Sequence, residues 1–369
     1  MKVYLQIIEK FLYLVVILKT KMRQYFFLLG AFAVLMLSAF FQKSGYYVNA
    51  PKEKLSEYGF FSGDIAAQKP AAGVMPYSLN TPLFTDYAEK LRFVKLPDGQ
   101  QANYNAKEVL DFPVGTNIIK TFYYPNDFRD VSKGRRIIET RVLIHETSGW
   151  KALEYIWNEE QTDAFLEVAG DTKEVVYTAL DGTVRKQNYI VPNLNQCKGC
   201  HNRNETMSPI GPSARQLNGS YDGQENSENQ LVVWQKAGIL ANLPDLKDVP
   251  KAAIWNKPES GTLNERARAW LDINCAHCHR PEGPASTSGL NLSIHNTDPT
   301  TLGIMKTPVA AGRGSGNRNH DIVPQHPETS ILLYRLESND PGVKMPEVGR
   351  NAVHTESVAL IKEWIKSLK

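Results

Sequence analysis

The chain has 369 residues, of which 42 % are hydrophobic, 10 % aromatic and 22 % charged. This composition excludes a disordered or collagen-like chain and leaves enough apolar material for two or three domains. The formal charge of +3 comes from the first fifty residues, where Lys2, Lys10, Lys19, Lys21, Arg23 and Lys43 face Glu9 alone. The remainder is slightly acidic, and no basic face points to nucleic acid.

Residues 1–50 read as an export element. Lys19, Lys21 and Arg23 precede 25–41, which is almost wholly apolar. Basic residues before a short hydrophobic run are the pattern of a secretory signal. The run is at the short limit for a membrane span, so a cleaved signal and an N-terminal anchor both stand. Met22 is an alternative start. Ser38-Ala39-Phe40 and Val48-Asn49-Ala50 mark a cleavage site poorly, and no cysteine follows that would carry a lipid. Either form puts the body of the chain in the periplasm.

Residues 51–190 are expected to form a β-rich domain, entered through a Pro- and Gly-containing segment. Between about 91 and 190 the apolar period is two. Strands are predicted at 91–96, 116–124, 136–145, 150–157, 175–180 and 183–190. Pro97-Asp98-Gly99 and Asp181-Gly182 supply turns. The spacing implies an antiparallel β-sandwich or barrel. His145, Trp150 and Trp157 read as packing residues.

Residues 191–260 follow without a long helix, because Pro192 interrupts one, and 229–240 reads as a short amphipathic helix. Residues 261–369 read as an all-α region. A helix at 263–274 places Ala267, Trp270 and Leu271 on one face, and a closing helix at 354–368 does the same with Val358, Ile361, Ile365 and Leu368. Residues 281–320, rich in Gly, Asn, Ser and Thr, read as an inserted surface loop.

The cysteines carry the chemistry. All four fall in two copies of Cys-x-x-Cys-His: Cys197-Lys198-Gly199-Cys200-His201 and Cys275-Ala276-His277-Cys278-His279. Two thiols at this spacing can each form a thioether to one vinyl group of a haem, with the adjacent histidine binding the iron. A structural zinc, disulfides or thioredoxin-like pairs would use the cysteines but need no histidine after each pair. The motifs therefore imply two haem c groups, attached at Cys197/Cys200 and Cys275/Cys278, with His201 and His279 on iron. Met345, before Pro346 and the closing helix, is the expected sixth ligand of the second haem. For the first, Met207 is the nearest thioether, with Met75, Met305, His145 or an open site as alternatives. His277, His295, His320, His326 and His354 are expected to be non-ligands.

With these residues the sequence resembles the c-type cytochromes, and more closely an uncharacterised dihaem family that joins an N-terminal β domain to two haem sites. The stretches that carry the resemblance are Phe112-Pro113-Val114-Gly115-Thr116, Ile138-Glu139-Thr140-Arg141, Tyr155-Ile156-Trp157-Asn158, the two motifs, Pro209-Ile210-Gly211-Pro212 and Met345-Pro346. It covers roughly 55–369. The resemblance implies an electron carrier or redox subunit that exchanges electrons with partner proteins. A dihaem oxidoreductase of the peroxidase kind, with an open first haem and Arg203 or Glu205 as acid/base groups, is the alternative. In a third reading the β domain docks a partner. The sequence holds no distinct catalytic histidine constellation.

Overall fold

Strand alternation between residues 89 and 157 yields an antiparallel sheet. In the computed structural model, which describes residues 50–221 and 227–369, β1 (Val74–Pro76), β2 (Glu89–Lys95), β4 (Asn117–Pro125), β5 (Arg135–Glu146), β6 (Gly149–Trp157) and β7 (Ala164–Leu166) stand side by side in that order. Every neighbouring pair is antiparallel. β3 (Ala102–Asn103) pairs in parallel with β12 (Leu240–Ala241), and β8 (Asp171–Thr178) with β9 (Val184–Val191) forms a separate hairpin. The sheet is open at β1 and β7, which corrects the expected sandwich or barrel. The β8–β9 hairpin and the short β3–β12 pair pack against the same face of the sheet, at opposite ends, and do not form a continuous second sheet. The expected signal or anchor segment lies outside the described residues. Pro51–Lys369 group as one unit, and none of their described helices is long and apolar enough to cross a membrane.

The two faces of the sheet differ. One carries Phe93, Ile119, Val142, Leu153 and Tyr155, packed under Leu55, Phe60 and Phe61 from the leading segment. Full burial of such side chains contributes about 1.5–3 kcal/mol each. The opposite face is apolar at its two ends. At one end Val94 and Ile118 pack against Leu217, Leu231 and Trp234. At the other, Phe122 and Tyr124 pack against Val175, Tyr177 and Tyr189 of the hairpin. Between these ends the inward positions are charged. Register places Arg92, Lys120, Arg141 and Glu154 directly opposite one another on β2, β4, β5 and β6, with Lys90 and Glu139 in the adjoining row.

The helices follow. α1 (Leu194–His201), α2 (Ala214–Leu217) and α3 (Gln230–Lys236) lie between the sheet and the C-terminal part. The first motif is itself helical, with three residues ahead of Cys197, and no long entry helix precedes it, as Pro192 led one to expect. Asn193 accepts from the Gln196 backbone and the Gln196 side chain returns to Asn193, a capping box that restarts the helix after Pro192.

The C-terminal part is helical but not all-α, a second correction. α4 (Leu263–Cys275), α6 (Ile331–Glu337) and α7 (Thr355–Ser367) bury Trp270, Leu271, Leu333, Leu336, Ile361 and Trp364 in one core. The segment between α4 and α6 holds α5 (Pro299–Leu302), short 3-10 turns and the isolated bridges Ile304↔Ile322 and His320↔Ser330. It is not merely a surface loop, since Leu292, Leu302 and Ile322 enter the core. Single apolar residues at turns anchor it, and these leave no period to read.

Both motif helices start at capping boxes, α4 through Thr262 and Glu265. Asn193→Ala and Thr262→Ala should each lower stability by about 1 kcal/mol in urea unfolding. Unchanged midpoints would show that the caps do not hold these helices.

Candidate functional site

Cys197 and Cys200 are one turn apart on α1 and so share a face. His201 closes the helix, and the chain turns back at once through a hairpin. β10 (Asn202–Arg203) pairs with β11 (Thr206–Met207), and Asn204 and Glu205 take the left-handed backbone conformation at the tip. That turn returns the Ser208 carbonyl to 2.8 Å from His201 Nδ1. A carbonyl only accepts, so Nδ1 carries the proton and Nε2 presents its lone pair.

The second motif reaches the same arrangement by different means. α4 ends at Cys275, and the Cys278 and His279 N–H groups both donate to the Cys275 carbonyl, at 3.1 and 2.8 Å. His279 Nδ1 lies 3.1 Å from Ser288 Oγ. The Ser288 hydroxyl spends its proton on the Ala285 carbonyl at 2.7 Å. It therefore accepts from His279, and Nε2 is again the free lone pair. The turn requires glycine at Gly283, where a Cβ would meet the Cys278 carbonyl oxygen at 2.3 Å.

The fold brings the two motifs together. Cys200 and Cys278 lie close enough for each to shift the other's proton affinity, and His277 also acts on Cys200. Asn204 N–H donates to the Glu282 carbonyl at 2.9 Å. Glu108, from the loop after β3, pairs with Arg203 of the first motif's hairpin and Arg280 beside His279, each at 2.9 Å. Arg215 pairs with Asp272 of α4 at 2.7 Å, nearly out of solvent. Cys200, His201, His277 and Arg280 line a cleft of about 70 Å³ between the motifs.

Charges behind the first motif are buried. Cys197 Sγ stands 3.7 Å from Glu154 Oε2. Arg141 pairs with Glu139 at 2.5 Å and lies 3.3 Å from Glu154 Oε1, and the Tyr189 hydroxyl donates to Glu139. The two carboxylates divide the work. Glu139 is held ionised below its ordinary range: burial opposes this, and Arg141 and hydrogen bonds outweigh it. Burial, and then the Glu139 charge, push Glu154 up to about 10. Burial also takes His201 and His279 down to about 4, which keeps both rings neutral.

The remaining sequence candidates are placed as follows. Met345 is half-buried, with its N–H on the Arg335 carbonyl at 3.1 Å and its carbonyl accepting from Arg350 at 2.9 Å. Its neighbours act on the second motif: Arg350 on Cys275, Glu347 on Cys278 and Arg335 on His279. Met207 pairs with Asn202 in the hairpin, next to Ser208, whose carbonyl holds His201 Nδ1. Met75 is in β1 opposite Val94, and Met305 is exposed. His145 stacks on Trp150, with ring centroids 4.4 Å apart, and its Nδ1 is tied to the Phe112 carbonyl. His354 stacks on Phe84 at 4.1 Å. Arg203 is committed to Glu108, and Glu205 is at the hairpin tip. Sequence reasoning missed Ser208, Ser288, Glu108 and the Arg141 network. Only the last left a signal: Glu139 and Arg141 alternate with Ile138, Thr140 and Val142 in a strand that is buried on both faces.

The donor set fits haem c. Each motif offers two free thiols and an imidazole whose outer nitrogen is fixed, as iron ligation needs. Cys197, Cys200 and His201 could hold one group, and Cys275, Cys278 and His279 the other. The four thiols do not converge as a four-thiolate zinc site requires: Cys200 and Cys278 meet, while Cys197 faces Glu154 and Cys275 is buried near Arg350. No family model, curated protein or solved structure matches the chain.

Two expectations follow from these environments. The neighbouring Cys278 thiol lowers the Cys200 thiol below its ordinary value, whereas burial pushes Cys197 and Cys275 up to about 12. In the haem-free chain near neutral pH, iodoacetamide should label Cys200 first, read by peptide mass spectrometry, because the thiolate is the nucleophile. Faster labelling of Cys197 would contradict the thiol contact. For Glu154 the folded pKa is raised, so the native state keeps a proton that the unfolded chain releases. Its contribution is full below about 4.3 and is lost as pH rises towards the folded value of about 10. Between about pH 5 and about pH 9, wild-type urea midpoints should fall relative to those of Glu154→Gln. Parallel curves would rule out the protonated carboxyl.

Proposed function

We propose that the chain is a dihaem c-type cytochrome, of the family it resembles, that carries electrons between redox partner proteins in the periplasm. The observation that carries this reading is the matched pair of Cys-x-x-Cys-His turns, each with its histidine Nδ1 tied to the chain and Nε2 left for iron. Bound haem would supply a one-electron ferric/ferrous couple. Cys197, Cys200, Cys275 and Cys278 anchor the two groups by thioethers. His201 and His279 would supply nitrogens to the iron, and Ser208 and Ser288 hold the rings in orientation. Met345 would be the thioether ligand at the second site, where methionine ligation would favour the reduced state. The contact of Cys200 with Cys278 supports a relay, because it sets the two attachment turns side by side. The ion pairs of Glu108 and Arg215 hold them there.

The second reading, a dihaem oxidoreductase with an open sixth position on the first haem, draws on one observation. Met207 follows His201 by six residues and the hairpin pairs it straight back with Asn202, a short span for a thioether that would have to reach the far face of a haem held by His201.

The test is the optical spectrum of the chain matured in a haem-c-competent periplasm. Two covalent haems, both low-spin and indifferent to carbon monoxide, are expected of a carrier. Met345→Ala should open one haem, the one retained in a Cys197→Ser/Cys200→Ser chain, to carbon monoxide. A wild-type haem that is high-spin or takes carbon monoxide selects the oxidoreductase. A folded chain without haem overturns both.

A further inference from the structure

The middle of the inner sheet face holds more positive charge than its surroundings answer. Arg92, Lys120 and Arg141 lie directly opposite one another on three adjacent strands, and like charges in cross-strand pairs are destabilising. Arg141 is compensated by the ionised Glu139, with the protonated Glu154 carboxyl beside it at 3.3 Å. Arg92 is only 8 % exposed, and its Nη2 is buried without a hydrogen-bond partner. Lys120 lies 4.7 Å from the Phe122 ring centroid. Among the described residues, no ion pair holds Arg92, Lys120 or Lys90. Burial lowers the proton affinity of all three. Arg92 is buried, and Lys90 and Lys120 are half-buried. Glu89 and Asp86 act on the row only at a distance, without an ion pair. A cation withdrawn from water is costly unless an anion meets it, so the arrangement is one that a bound anion completes.

The row leads away from the first motif. Cys197 stands at Glu154, the far end of the same cross-strand line. Three strand spacings of ~4.8 Å separate Glu154 from Arg92, roughly 14 Å in all. A porphyrin fixed by its vinyl edge at Cys197 and Cys200 carries its two carboxylates on the opposite edge. Lys120 is also close enough to act on His201.

Resting on the haem reading above, we infer that Arg92, Lys120 and Lys90 form the cradle for the propionate carboxylates of the haem attached at Cys197 and Cys200. The β-sheet then has a defined part in the redox site: it supplies the positive charge that neutralises the anionic edge of one haem. Cations at that edge favour the reduced state, because reduction removes a positive charge from the iron. A free carboxylate anion from solution is the other possible source of the same chemistry.

The test uses the full chain loaded with haem, as wild type and as Lys120→Met and Arg92→Met. Covalent haem is counted by the pyridine haemochrome spectrum, and the two midpoint potentials are titrated. Two haems should remain, with one potential lowered and the other unmoved. The lowered one should be that retained in a Cys275→Ser/Cys278→Ser chain. Lys120→Arg and Arg92→Lys should restore it, which a loss of packing alone would not allow. Should the methionine variants fail to fold, the single-haem chain answers without them. Infrared spectra with isotope-labelled propionates should show the labelled carboxylates still ionised at about pH 4, close to the usual carboxylate value. Two attached haems with both potentials unmoved, or labelled bands that titrate normally, would overturn the cradle and leave the cytochrome reading intact. Carboxylate bands that move but carry no label would assign the site to a free anion and overturn it equally. A wild-type chain without haem would remove both.

Discussion

Charge held out of water on the inner face of the sheet is the constraint on which the rest of this structure depends. A sheet face covered on both ends by apolar side chains would ordinarily be apolar throughout. Here Arg92, Lys120, Arg141, Glu139 and Glu154 occupy its centre. The cost is met partly inside the molecule, by the Arg141–Glu139 ion pair and the Tyr189 hydroxyl. Removing one partner of such a network costs about 3–5 kcal/mol, because the other is left buried and unpaired. The apolar ends, covered by Trp234 on one side and Tyr189 on the other, flank this band, and α1 packs on β6. Glu139 and Glu154 are buried, and Lys90, Lys120 and Arg141 partly so.

That placement ties the sheet to the cysteine motifs. α1 carries Cys197 to Glu154, and the hairpin after His201 returns Ser208 to the imidazole. The second motif is delivered by α4, whose core is separate from the sheet cores. The two are joined by polar contacts: the Glu108 pairs, the Arg215–Asp272 pair and the Cys200–Cys278 contact. Polar pairs have preferred distances and directions, so they set the spacing of the two turns more closely than apolar packing would.

The strands β2, β4, β5, β6, β8 and β9 were legible because their apolar residues alternate, and α4 and α7 because theirs recur at helical spacing. The short helix that carries the first motif follows Pro192 directly, and Asn193 and Gln196 already spell its cap. The region between α4 and α6 was misread because its core contacts come from isolated residues, Leu292 and Leu302, that make no period. Edge closure also has no sequence signature, which is why an open sheet with one added hairpin was taken for a sandwich or barrel. At the site, the cysteines and the two adjacent histidines were readable from spacing alone. Ser208 and Ser288 were not, since a serine seven or nine residues beyond a histidine signals nothing until the chain turns back.

What the sequence determined by itself is local chemistry: two thiols and an imidazole within five consecutive positions, twice over, and the alternation and capping that make strands and helices. Those depend on neighbours along the chain. Only the tertiary structure decided that the two motifs touch through Cys200 and Cys278, that each histidine presents Nε2, and that Arg92, Lys120 and Arg141 line up across three strands. Each of these is a relation between residues that the path of the chain, rather than adjacency, brings together. It is set by strand register, by the path of the turns after each motif and by the cost of burying charge, none of which a linear pattern records.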